Sequence, residues 1–264
     1  MVAEVAGGVL SNSLALLADA GHMLTDSAAV ALALFASWIA GRPATAERTF
    51  GYLRLEIIAA LLNGTVLIGL AGLIVWQAVG RFVTPPEIEP RILLGVATLG
   101  LIGNVVALRI LHAGHEHSLN VRGAYLHVLG DLLGSIGALS SGVIILLTGW
   151  TMADPLVSIF IAILIMVGAI RLVRESVDVL LEATPPHIDL NEVANAISEV
   201  SGVTQVHDLH VWTVTSGVVA MSGHAVVCEP EQNQHVLEAV QERMTGLGIH
   251  HVTVQIENVA GGCG

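Results

Sequence analysis

Two four-residue steps, His22-x-x-x-Asp26 and His127-x-x-x-Asp131, sit inside stretches apolar enough to cross a bilayer. A carboxylate at mid-bilayer costs about 3 kcal/mol or more, so an intramembrane Asp beside a His points to function. In lipid the backbone must satisfy its own polar groups, which leaves helices and closed barrels. The i, i+4 step is helical: the two side chains differ by about 40° in direction and about 6 Å in height. Each pair therefore projects from one face of one helix. Together the pairs supply two imidazole nitrogens and two carboxylate oxygens, a full set for a tetrahedral divalent metal. The two carboxylates also neutralise a dication.

The chain is 54% hydrophobic and 12% charged; soluble domains carry about 25% charge. It is rich in Gly and poor in aromatics, which suits close-packed membrane helices. Runs of about 20 apolar residues fall at roughly 1–17, 20–40, 56–79, 91–112, 122–149 and 153–173. Turn chemistry breaks them at Gly41-Arg42-Pro43, Thr84-Pro85-Pro86, His112 to Asn120 and Asp154-Pro155, with a tight break expected around Ala18-Asp19. Span one lacks the basic start of a signal peptide. It reads as the later half of a membrane helix whose beginning is missing, or as a very short first span. Gly64 to Gly72 and Gly130 to Gly137 read as close-packing surfaces, and Asn63 and Asn104 as helix-to-helix hydrogen bonders. Asp19 lies three positions before His22 and is left out of the ligand set.

Arg42, Arg48 and Arg54 lie between spans two and three, Arg109 and Arg122 flank the loop between four and five, and Arg171 and Arg174 close span six. With alternating spans these share one side, and only Arg81 and Arg91 fall on the other. The positive-inside rule then places both termini in the cytoplasm of an inner-membrane, multi-pass protein.

The expected division is 1–178, transmembrane, and 179–264, cytoplasmic. Near Ala183 the texture becomes polar, and Thr184-Pro185-Pro186 stops the last helix. Asp189 reads as an N-cap for a helix through Val200. Val206 to Val214 and Val218 to Val227 alternate around a Ser216-Gly217 turn, Glu231 to Leu247 is a second helix, and Val252 to Ile256 a third strand. This is a small α+β domain of antiparallel hairpin character. Arg243 is the only basic Arg or Lys after Arg174, and the net charge is −12. An acidic tail argues against nucleic acid and fits a cation partner.

At these residues the chain resembles the zinc-transporting branch of the cation diffusion facilitator family. Ser13 to Asp26 (Ser-Leu-Ala-Leu-Leu-Ala-Asp-Ala-Gly-His-Met-Leu-Thr-Asp) is similar to that branch's span-two signature, and His127-Val128-Leu129-Gly130-Asp131 to its span-five signature. Phe50-Gly51-Tyr52 with Arg54-Leu55-Glu56 resembles its entry to span three, and Asp154-Pro155 its opening of span six. The resemblance implies six spans, a ferredoxin-like cytoplasmic domain, a homodimer, and export of divalent metal by alternating access in exchange for protons. It also implies zinc preference from His at position 22, with cadmium or cobalt as further cargoes. For the tail it implies a metal site of His207, His224, His250 and Glu257, with His235 as an additional ligand; zinc there would be a regulatory ligand. His112, His115 and His117 stand where relatives carry a His-rich loop.

An empty site with two carboxylates favours protonated imidazoles, and metal needs deprotonated ligands. Loading therefore expels protons, which couples the cation to them. Bound metal would also reduce repulsion between two acidic tails in a dimer. The alternative is a membrane-embedded metal sensor without transport, which has no need of intramembrane doublets. An enzyme is disfavoured: His115-Glu116-His117 lacks the zincin spacing, no Gly-x-Ser-x-Gly is present, and four protein ligands leave no open coordination position.

Overall fold

The computed structural model describes the backbone of residues 2–112 and 119–258, and their side chains apart from residues 33, 37, 119–124, 126 and 127. Six helices come first: α1 (Val2–Ser11), α2 (Leu14–Ala40), α3 (Leu55–Val83), α4 (Pro90–His112), α5 (Leu119–Thr148) and α6 (Ala153–Leu180). They are followed by α7 (Leu190–Ser198), β1 (Val203–Thr215), β2 (Val218–Val227), α8 (Asn233–Gly246) and β3 (His251–Asn258).

Among the described residues five helices are long and apolar enough to cross a membrane: α2, α3, α4, residues Val128–Thr148 of α5, and α6. The described part of α1 has 10 residues, about 15 Å of helix against a hydrocarbon core of about 30 Å. Leu34, Trp38, Trp76, Leu147 and Phe160 are exposed, as lipid-facing side chains should be.

The first break differs from the sequence expectation. It falls at Asn12–Ser13, and Ala18 and Asp19 lie inside α2. Asn12 takes a left-handed φ of 55°, which Asn tolerates better than other side-chain-bearing residues. Its N–H donates to Val9 O (3.4 Å) and that of Ser13 to Gly8 O (3.0 Å), the paired pattern of a Schellman stop. Ser13 Oγ then accepts from Leu16 N at 3.3 Å. Asp154, fully buried at the start of α6, accepts from Leu14 N (2.8 Å) and Ala15 N (3.3 Å) and from Ser13 Oγ. A buried carboxylate on a helix N-terminus satisfies orphan donors and the helix dipole. The preceding apolar run concealed this cap, because the capping group comes from another helix.

The chain divides into two compact units, Met1–Leu32 with Leu62–Val173, and Ala33–Leu61 with Arg174–Gly264. In the first unit α2 is central. Leu14 and Ala18 pack with Leu67, Ala71 and Ile74 of α3 and Ile161 and Ile165 of α6. Ala15 and Leu16 pack with Leu93 and Ala97 of α4 and Ala138 and Ile145 of α5. Small residues allow these approaches. A Cβ on Gly64 would lie 2.8 Å from Val173 Cγ2, and one on Gly137 3.0 Å from Val157 Cγ1. Gly69, Gly72 and Gly130 meet nothing within 4 Å, so only part of each Gly series is a packing surface. Asn104 Nδ2 donates to Ser135 Oγ at 3.0 Å, a helix-to-helix bond; Asn63 instead lines a cavity.

In the second unit, Asp189 caps α7 by accepting from Asn191 N at 2.8 Å. The sheet order is β1-β2-β3. β1 and β2 are antiparallel around Gly217, whose φ is 75°. β3 lies parallel to β2, because α8 makes the crossover that a parallel pair requires. Val193, Ile197, Val211, Met221, Val236, Val240, Met244 and Ile249 form its core. In the same unit Glu56 accepts from Thr215 Oγ1 (2.9 Å) and Ser216 Oγ (3.1 Å).

Candidate metal centres

The first cluster lies in the helical unit. His22 and Asp26 stand one turn apart on α2, with Nε2 to Oδ2 at 3.5 Å; Asp131 of α5 brings Oδ1 to 3.8 Å from the same nitrogen. One ligand atom from each lies within 4.8 Å of the others. They border a cavity of about 400 Å³, shared with Asp19, Asn63 and Gly130 and backed by Leu67, Ile161 and Ile165. The apolar backing lowers the local dielectric, and the carboxylates supply the charge that a dication needs there. Imidazole and carboxylate suit zinc at about 2.0–2.2 Å; closing from the observed separations takes small side-chain movements. His127 belongs to α5, one helical step before Asp131, but its side chain lies outside the described residues, as do His115 and His117. His112, described and exposed, ends α4 with its ring 6.0 Å from that of Tyr125.

The second cluster lies on the sheet. The register pairs His207 of β1 with His224 of β2, and His224 with Gln255 of β3. Glu257, two residues on, reaches both histidines: Oε2 to His207 Nε2 at 3.1 Å and Oε1 to His224 Nδ1 at 2.9 Å. The imidazole rings meet edge-on, centroids 5.0 Å apart. Hydrogen bonding from His207 is the main influence holding the Glu257 carboxyl below its ordinary range; the His224 bond and both histidine charges add to it, against a smaller opposing desolvation.

His250 and His235 are not in this cluster. His250 precedes β3 at the end opposite Glu257, seven residues away, about 23 Å along a strand. His235 is exposed on α8. Conversely, sequence reasoning missed Asp208. The ladder slips between His207 and His210, and Asp208 takes φ 51° there. Its carboxylate reaches His210 Nε2 (3.0 Å) and approaches His224 Nε2 (3.6 Å). The signal was the His207-Asp208-Leu209-His210 run itself, whose alternation hides the bulge that turns Asp208 toward the histidines.

With this geometry in place, similarity to known proteins is informative. The family model for the cation efflux transmembrane domain matches residues 1–181, and that for the cation efflux protein cytoplasmic domain matches residues 185–259. The chain belongs to the cation efflux family. This cation efflux protein is 45% identical over 260 residues to the zinc transporter ZitB of Escherichia coli (strain K12), covering 97% of this chain and 83% of the relative. It is 44% identical over 261 residues to the metal cation efflux system protein CzcD of Cupriavidus metallidurans (97% and 82%). It is 41% identical over 265 residues to the cadmium, cobalt and zinc/H(+)-K(+) antiporter of Bacillus subtilis (strain 168), covering 98% and 85%. The metal-bound C-terminal domain of the CzcD transporter matches at 34% identity, covering 26% of this chain and 99% of that one, with a TM-score of 0.25. The cation efflux protein described here is a multi-pass membrane transporter with a C-terminal α+β domain, and not an enzyme.

Proposed function

We propose that this cation efflux protein exports zinc from the cytoplasm, with cadmium and cobalt as further cargoes, by alternating access in exchange for protons. The observation that carries the reading is the convergence of His22 and Asp26 of α2 with Asp131 of α5 around one cavity in apolar helices. His127 is assigned as the fourth ligand from its i, i+4 step to Asp131. The relatives' names, which include zinc, cadmium and cobalt transport and a proton antiporter, support the cargo and the counter-ion.

In this reading residues 1–178 form the transmembrane domain of a bacterial-type inner-membrane protein, and 179–264 the cytoplasmic domain, with both termini cytoplasmic. Two copies associate through the cytoplasmic domain, a reading supported by the family match over residues 185–259. His207, His224 and Glu257 hold a regulatory metal; the sheet geometry supports these three over His250 and His235.

Zinc uptake into inside-out vesicles, with and without an imposed pH gradient, tests the proposal. Uptake that is driven by the gradient and abolished by Asp131→Ala supports it. Zinc binding to the cytoplasmic domain with no uptake would leave a metal sensor instead.

A further inference from the structure

The loop between α2 and α3 carries cations that neither metal cluster uses. From Gly41 to Arg54 it holds Arg42, Arg48 and Arg54 against one carboxylate, Glu47, in a chain of net charge −12. Arg54 is committed to Glu182 at 2.7 Å. Arg42 and Arg48 are exposed, and among the described residues neither pairs with a carboxylate. Each guanidinium lies instead over an aromatic ring: Arg42 Cζ is 4.7 Å from the centroid of Trp38, and Arg48 Cζ 4.5 Å from that of Tyr52. A stack engages the face of the guanidinium and leaves its in-plane N–H groups to donate, a fork that matches phosphate bidentately. The positive-inside rule accounts for arginine in such a loop, but not for this placement.

The loop is folded back on itself. Thr45 and Arg48 exchange backbone hydrogen bonds, both of 3.1 Å, and Gly51, at φ 64°, donates its N–H to Arg48 O at 2.9 Å. Arg42, Thr49 and His251 of β3 border one cavity of about 630 Å³, with Ala40, the last residue of α2, also in its wall. The His251 ring meets that of Phe50, another wall residue, edge-on with centroids 5.3 Å apart. Among the described residues no carboxylate lines the cavity. Guanidinium, hydroxyl and imidazole N–H groups all donate, which makes this a set for an anion. Just before the loop α2 exposes Leu34, Phe35 and Trp38, the last two with ring centroids 6.1 Å apart. An exposed apolar strip therefore runs along α2 up to the ring on which Arg42 stacks.

We propose that this cavity binds the headgroup of an anionic phospholipid. The phosphodiester accepts from Arg42, with Thr49 and His251 as further donors, and the acyl chains lie along Phe35 and Trp38. Trp at the end of a membrane helix sits at headgroup level, and basic pockets there take such headgroups. Charge favours a lipid over a soluble anion. A soluble anion must approach through the field of a chain with 22 Asp and Glu against 10 Lys and Arg. A lipid diffuses within the bilayer and meets the site at its edge. Once bound, the headgroup ties the α2–α3 loop to the start of β3.

The test uses the full chain purified in detergent and follows bound lipid by native mass spectrometry, with thermal unfolding measured alongside. The probes are phosphatidylglycerol, phosphatidylethanolamine and inorganic phosphate at equal concentrations. Phosphatidylglycerol should bind about ten-fold or more tightly than phosphatidylethanolamine and raise the unfolding temperature; inorganic phosphate should not raise it. Arg42→Gln should weaken phosphatidylglycerol binding about five-fold, the worth of one arginine at the membrane surface. Arg42→Lys, which keeps the charge without the stacked fork, should weaken it about two-fold. Arg91→Gln, which removes an exposed arginine at the start of α4, should leave it unchanged. Equal binding of the two lipids overturns the proposal, and so does an equal loss in Arg42→Gln and Arg91→Gln, which would reduce the effect to overall charge. Stabilisation by inorganic phosphate that matches that by phosphatidylglycerol overturns the lipid assignment in favour of a soluble phosphate. The comparison of probes needs no substitution, so it decides even if Arg42→Gln does not fold. None of these measurements involves zinc, and their outcome is independent of the export proposed above.

Discussion

Nε2 of His22 lies 3.8 Å from Oδ1 of Asp131, although the two residues belong to helices separated by the whole of α3 and α4. No local preference of the chain brings them together. The meeting depends on α2 packing centrally between α3 with α6 on one side and α4 with α5 on the other. A polar pair at bilayer depth is tolerated where it faces the bundle interior and a cavity, and this one does.

The first prediction concerns that pair. Removing Asp131 takes away one ligand and half of the carboxylate charge facing the dication. Loss of partners that merely orient ligands costs about 10–100-fold in metal affinity; loss of a ligand should exceed that. Asp131→Ala is expected to lower zinc affinity at the membrane site by at least about 100-fold. Asp131→Asn, isosteric but uncharged, should fail nearly as badly. Zinc titration of a protein already carrying His224→Ala, which removes the sheet cluster, measures it.

Metal preference should follow the donor type at position 22. Imidazole suits zinc, whereas a carboxylate suits manganese and other hard cations. His22→Asp is therefore expected to reduce the ratio of zinc to manganese flux by about ten-fold or more. Competitive uptake of the two metals into inside-out vesicles reads that ratio directly. An unchanged ratio would mean that selectivity resides elsewhere.

That His22 and Asp26 share one face of α2 was legible in the sequence because helical geometry fixes the direction of residues i and i+4 without knowledge of the fold; for the second pair only the helical step is described, since the side chain of His127 lies outside the described residues. Also legible was the order of elements in the tail, where alternation and turn residues mark each strand. The helix break at Asn12–Ser13 was not legible, since its cap, Asp154, arrives from α6. The sheet cluster was legible in part. His207 and His224 became neighbours through register and Glu257 through a parallel β3, whereas His250 was drawn in by proximity in sequence to a strand whose far end carries the ligand. Asp208 stayed hidden because a bulge changes which face a strand residue presents.

Asp154 should matter for stability out of proportion to its distance from the metal. It is fully buried, ties the start of α6 to the start of α2, and accepts from Arg81 Nη1 at 3.2 Å. Arg81 also donates to Asn12 O at 2.7 Å. Removing one member of a buried pair leaves the other charge uncompensated, at a cost of about 3–5 kcal/mol. Asp154→Ala is expected to destabilise the protein by about that amount in unfolding assays in detergent. Arg81→Ala combined with it should cost less than the two single changes added together, because the stranded charge is gone. Strict additivity in this cycle would show that the two side chains are not coupled.

The sheet cluster gives a pH signature in the metal-free protein. Glu257 is held below its ordinary carboxyl range, chiefly by the hydrogen bond from His207. A carboxyl depressed in the folded state stabilises it at pH values above the unfolded value, near 4.5. That contribution is lost as pH falls from there through the lower folded value. Glu257→Gln has no such contribution at any pH. The stability difference between the unsubstituted protein and Glu257→Gln should therefore be greatest at the neutral end and shrink progressively in acid. Amide-exchange protection in β1 and β3, followed from pH 6 downward in the presence of chelator, tests this. A difference that does not shrink toward acid would show that the folded sheet does not hold the Glu257 carboxyl below its ordinary range.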